Sequence, residues 1–123
     1  MYTLDTNLII YFLKEDPKAV EFMRESIFQG SRFFISSITE TELFSYPEMT
    51  KEEFIKIDDI LKTLSIISLD SQIARIAAFF KRKYNIPLAD AVIAATGYLT
   101  NSVVVTRNIK DFQKIQEITI KPI

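Results

Sequence analysis

Short apolar runs alternate along this chain with longer segments in which apolar residues recur at helical spacing. The runs Tyr2–Leu4, Phe33–Ser36, Ser65–Ser68, Val103–Thr106 and Ile118–Lys121 read as strands. Helices are predicted between them. Asp16-Pro17 supplies a cap followed by a proline at the first helical position. Thr50-Lys51-Glu52-Glu53 has capping-box spacing and opens a helix to about Thr63. Asp70 can cap the next helix, in which Ile73, Ile76, Ala77, Phe80 and Tyr84 form one apolar stripe. Pro87 opens a helix reaching about Leu99, and a short one follows Asn108. Strands alternating with helices predict an α/β fold, a parallel sheet covered by helices on both faces. The length fits a single domain over residues 1–123. Sites in such sheets lie beyond the C-terminal ends of the strands.

Composition narrows the chemistry. At 48% hydrophobic and 25% charged residues, the chain can bury one core and is no disordered segment. It has no His and no Cys, which excludes Ser-His-Asp and Cys-His nucleophiles, imidazole or thiolate metal sites, and disulfides. Its two glycines, Gly30 and Gly97, cannot build a phosphate-cradling loop. Carboxylates, hydroxyls, amides, Lys, Arg and Tyr remain. Oxygen ligands of this kind suit a hard cation such as Mg²⁺ or Mn²⁺.

The net charge of −1 conceals a division. Residues 1–70 carry 7 Lys and Arg against 13 Asp and Glu, whereas residues 71–123 carry 8 against 3. A basic C-terminal part can meet a polyanion, although uneven solvated helix faces would give the same split. Met1 leads directly into Tyr2-Thr3-Leu4-Asp5, without the basic region of a secretory signal. The weakly charged stretch Leu88–Val105 is broken by Asp90, Gly97 and Thr100-Asn101-Ser102, so no membrane span is expected. A cytoplasmic location follows by default.

Four carboxylates stand out. Asp5 closes the first strand, where it can either cap the following helix or face a site at the sheet edge. Glu42 follows the second strand, in a segment where a surface glutamate would be unremarkable. Asp90 is the single charge in Leu88–Leu99, an otherwise apolar or small segment. A helix of that composition is expected to be buried. Its neighbours one turn away cannot compensate a buried carboxylate, which costs several kcal/mol, of order, without a partner. Asp111 falls at the third position after Asn108, a site that favours an acid for helix-dipole reasons alone. Four carboxylates converging at one edge would repel one another, and one or two Mg²⁺ ions would relieve that repulsion.

Four blocks carry a resemblance: Leu4-Asp5-Thr6-Asn7, Ile38-Thr39-Glu40-Thr41-Glu42-Leu43, Pro87 to Ala95, and Val105 to Phe112. Taken in order, they resemble PIN-domain ribonucleases, and within them the VapC-like toxins of type II toxin–antitoxin pairs. The resemblance implies a five-stranded parallel sheet in the order 3-2-1-4-5. It implies a Mg²⁺-dependent endoribonuclease, with Mn²⁺ able to substitute. Asp5 and Asp90 would be the main metal ligands, Glu42 a third ligand or water-orienting base, and Asp111 the fourth acid. Thr6, Thr106 and Asn108 would support ligands or phosphate. Many relatives carry an acid where this chain has Asn108. The resemblance also implies an RNA substrate, a cognate antitoxin protein and a homodimer.

Lys81, Arg82, Lys83, Arg107, Lys110 and Lys114 are the candidate RNA-binding residues. Val20, Phe44, Tyr46 and Phe54 are candidates for an apolar surface that holds the antitoxin or a second copy. The alternative is a non-catalytic PIN-type module that binds RNA or protein, against which the four acids speak. A haloacid-dehalogenase-like phosphatase would need a second Asp two residues after the first, where this chain has Asn7.

Overall fold

A computed structural model describes residues 1–123. In chain order the elements are β1 (Tyr2–Leu4), α1 (Thr6–Leu13), α2 (Pro17–Phe28), β2 (Phe33–Ser36), α3 (Ser37–Phe44) and α4 (Lys51–Leu61). They continue with β3 (Ser65–Ile67), α5 (Ser71–Tyr84), α6 (Leu88–Thr100), β4 (Val103–Thr106), α7 (Ile109–Phe112) and β5 (Ile120–Pro122). The strands form one parallel sheet in the order β3-β2-β1-β4-β5, the order the resemblance implies.

Strand alternation sends side chains to two cores. Leu4, Ile35 and Val105 pack with Leu8, Ile9 and Phe22 on one face. On the other, Val104 packs with Ile73, Phe80, Ile93 and Phe112. β2 is buried throughout, and Val104, Val105 and Thr106 of β4 are buried as well, as their unbroken apolar runs predict. Register then sets the site. Thr3 lies opposite Phe34 and Val104, and Leu4 lies opposite Val105. Asp5, the next residue, therefore leaves the sheet level with Thr106.

Three boundaries differ from the sequence reading. β3 stops at Ile67 rather than Ser68. α4 stops at Leu61 rather than near Thr63, because Thr63 turns back to the Ile60 carbonyl. β5 runs Ile120–Pro122 rather than Ile118–Lys121, since pairing with β4 begins at Ile120 while Ile118 packs into the α5–α6 core. Pro122 lacks an N–H and is tolerated because β5 is an edge strand.

Helix α6 crosses the sheet closely, and Gly97 permits this. A Cβ there would lie 2.5 Å from Val104 Cγ2, and Val104 is fully buried. Gly97→Ala gains roughly 1 kcal/mol of helix propensity but overpacks the core at a cost of about 1–3 kcal/mol. Denaturant unfolding is expected to show a net loss of up to about 2 kcal/mol. An unchanged or raised midpoint would mean that α6 can shift away from β4.

Candidate active site

Helix caps separate structural carboxylates from the others. Asp16, Ser36, Thr50 and Asp70 each stand at a helix N-cap and accept a backbone N–H from the first turn. Asp5 occupies the N-cap of α1 and makes no such side-chain bond. Its carboxylate instead accepts a hydrogen bond from Thr106 Oγ1 at 2.7 Å, across 101 positions of sequence. Asn108, at the N-cap of α7, likewise makes no side-chain cap. Its amide Nδ2 donates to Asp90 Oδ2 at 3.0 Å and to Asp111 Oδ2 at 3.2 Å. Two residues suited to capping are thus turned toward the sheet edge. Asp5 is thus engaged by Thr106 across the sheet rather than by a well-formed N-cap bond.

Threonine hydroxyls link the elements. Thr106 Oγ1 donates to Asp5 and accepts from the Asn108 backbone N–H at 2.8 Å. Thr6 Oγ1 donates to Glu42 Oε1 at 2.7 Å and lies 2.9 Å from Thr39 Oγ1. Thr6, Thr39 and Thr106 are all buried. Asp5 is 3% exposed, Asp90 and Asp111 are half-buried, and Glu42 is exposed. The chain of contacts runs from Glu42 through Thr6 to Asp5 by sequence adjacency, and from Asp5 through Thr106 and Asn108 to Asp90 and Asp111. Thr39 was passed over at the sequence level; its spacing of three from Glu42 on α3 was the available signal.

The electrostatics are those of uncompensated acids. Burial, then the Asp5, Asp111 and Glu42 carboxylates, push Asp90 up to about 6 from an ordinary 3.8. Burial also raises Asp5, opposed by the Thr106 hydrogen bond and by the nearby Asn7 and Thr6 amides, with the Glu42 carboxylate adding to the rise. No Lys or Arg pairs with Asp5, Glu42 or Asp90, while Lys114 stands 3.6 Å from Asp111. α6 is buried from Ala91 to Gly97, as its composition predicts, with Asp90 at its half-buried first turn.

The donor set of carboxylate, hydroxyl and amide oxygens is that of a hard divalent cation. As the side chains stand, however, no three of the acids are gathered closely enough to ligate one ion. The Asn108 amide lies between Asp90 and Asp111.

The basic candidates divide. Arg107 makes a bidentate pair with Asp16, the cap of α2, and its guanidinium lies 4.3 Å from the Tyr11 ring centre. This clamp ties the turn carrying Thr106 and Asn108 to the α1–α2 junction. Asp16 is held below the usual carboxylate range, chiefly by the Arg107 hydrogen bond. Lys81 Nζ donates to the Ile86 carbonyl, and Lys83 pairs with Glu117. Arg82 and Lys110 are exposed and unpaired.

Comparison with known proteins identifies the family. The family model of the PIN domain matches residues 2–118. A tRNA(fMet)-specific endonuclease VapC from Salmonella typhimurium is 32% identical, over 98% of this chain and 96% of its own length. The structure of DNA-bound VapBC from Salmonella typhimurium superposes with a TM-score of 0.85 at 26% identity, covering 98% of this chain and 96% of that one. A toxin–antitoxin complex from Klebsiella pneumoniae superposes with a TM-score of 0.78 at 25% identity, covering 97% and 96%. The sheet order and these matches agree: the chain belongs to the PIN domain family.

Proposed function

We propose that this protein is a metal-dependent endoribonuclease that hydrolyses RNA phosphodiester bonds at the Asp5–Glu42–Asp90–Asp111 edge, and that it is the toxin of a toxin–antitoxin pair. The observation that carries this reading is the convergence on Asp90: Asn108 bridges it to Asp111, and burial together with the Asp5, Asp111 and Glu42 carboxylates raises its carboxyl. Carboxylates perturbed by burial and by one another cluster at functional sites. Magnesium is the proposed ion, with manganese able to replace it.

When bound, a divalent cation neutralises charge on the phosphate and makes a coordinated water more acidic. Asp5 and Asp90 would hold it, with Asp111 as a further ligand. Thr106 fixes Asp5 by occupying one carboxylate oxygen, and Asn108 orients Asp90 and Asp111. Glu42, exposed and held by Thr6, would orient the attacking water and take its proton.

The partner surface adjoins the acids. Ile10, Leu13, Leu43, Tyr46 and Ile57 line a groove between α1, α3 and α4, and Glu42 forms part of its wall. An apolar antitoxin segment lying there would cover the RNA approach to Glu42. Phe54 is exposed beside Phe44, with ring centres 5.0 Å apart, and suits a second copy of the chain. No helix is long and apolar enough to cross a membrane. The cytoplasm, where RNA is available, is the proposed location.

The test is cleavage of a tRNA pool by protein freed of partner. Cutting is expected with Mg²⁺ or Mn²⁺, and EDTA should stop it. Undiminished cutting in EDTA would refute the metal-dependent reading.

A further inference from the structure

Resting on the ribonuclease reading, we infer that the outer face of α5 is a second contact surface for single-stranded RNA, remote from the acids. Arg75, Phe79 and Arg82 follow one another at helical spacings of four and three, so they share a stripe. All three are exposed. Phe79 is 41% exposed, and Tyr98 of the adjoining α6 is 49% exposed; both line a shallow groove with Arg75. The Arg82 guanidinium and the Lys83 ammonium lie 6.0 and 5.5 Å from the Phe79 ring centre.

Charge identifies the occupant. α5 carries Arg75, Lys81, Arg82 and Lys83 and no acid. Glu117, which also lines the groove, is taken by Lys83 and by the Tyr84 hydroxyl, and Asp70 is taken by the cap of α5. Arg75 and Arg82 pair with nothing. Aromatic residues and Arg suit protein and RNA surfaces alike, but lysine is depleted at protein interfaces, and here Lys83 lies over the Phe79 ring. Exposed rings interleaved with free guanidinium groups suit stacked bases and a phosphate backbone. Eight residues separate Arg82 from Asp90, so the two lie within about 30 Å. A single strand is long enough to span that distance. Arg75 and Phe79 escape a reading that looks only for runs of Lys and Arg.

The experiment is fluorescence anisotropy of a labelled single-stranded oligoribonucleotide with full-length protein in EDTA, which separates binding from cleavage. Phe79→Leu is expected to weaken binding about tenfold, the scale of one lost stacking contact, and Phe79→Tyr should restore it. Arg75→Gln combined with Arg82→Gln should flatten the slope of log K against log salt by about 1.4, two phosphate contacts on a single strand. Circular dichroism checks that each variant is folded. Unchanged affinity and slope in folded variants would overturn the inference. So would loss of a dimer, without loss of RNA binding, on sedimentation of Phe79→Leu. The two readings fail separately. Wild-type protein that binds RNA through Phe79 but never cuts it refutes the nuclease alone, whereas normal cutting with binding indifferent to these residues refutes the α5 surface alone.

Discussion

Asp5→Asn and Asp90→Asn are each expected to cut RNA at least about a hundredfold more slowly than wild type, the scale on which removal of one charge-stabilising group acts. Both substitutions keep side-chain shape and remove one charge. Asp5→Asn still allows contact with Thr106, and Asp90→Asn can still meet Asn108 after an amide flip, so folding should survive. The two losses should not add in the double variant, because the residues serve one site. Glu42→Gln, at the exposed mouth, should lower the maximal rate while leaving metal affinity closer to wild type. Cleavage by the double variant at the wild-type rate would place the activity elsewhere.

The second large effect concerns pH. Asp90 is raised to about 6 in the fold and has an ordinary 3.8 when unfolded. Between those values the native state holds the extra proton, so metal-free stability should fall as pH rises from about 4 to 6. Asp5 is raised as well and acts in the same direction. Two units at 1.36 kcal/mol each, discounted for the half-exposed position of Asp90, leave about 1–2 kcal/mol. That corresponds to roughly 3–8 °C in Tm for a domain of this size. Asp16 and Glu117 are lowered by their Arg107 and Tyr84 partners and act oppositely, mainly below about pH 4.5. The window from pH 4.5 to 6 therefore reports Asp90 together with Asp5. Melting in EDTA across it should show stability lost toward neutrality in wild type, and a shallower slope in Asp90→Asn with the Asp5 contribution remaining. Parallel slopes would mean that Asp90 is not raised.

Much of the fold was legible because each local signal agreed with the sheet. The caps at Asp16, Thr50 and Asp70 predicted helix starts correctly, since capping depends on residues within one turn. β5 was misplaced by two residues at its start because an edge strand carries little alternation, and tertiary packing claimed Ile118. Asp90 announced itself as a lone charge in an apolar helix. Its partner did not, because Asn108 lies 18 positions away and asparagine before a short helix reads as a cap. The same ambiguity covered Asp5, and only the register of β1 against β4, which sets it level with Thr106, resolves it. Arg107 looked like an RNA contact by charge, whereas Asp16 and Tyr11 hold it from a distant part of the chain.

A shared metal site is tested most directly by melting wild type and Asp90→Asn at neutral pH, in EDTA and in millimolar Mg²⁺ or Mn²⁺. In EDTA the variant should melt above wild type, because one of four repelling charges is gone and the Asn108 contact survives. Added metal should raise wild type more than the variant, since stabilisation follows RT ln(1 + [L]/Kd) and the variant's Kd is weaker. The order of the two proteins should therefore narrow or invert between the two conditions. A variant less stable than wild type in EDTA, with the same response to metal, would show that Asp90 is a helix-terminus residue and that the four carboxylates do not form one site.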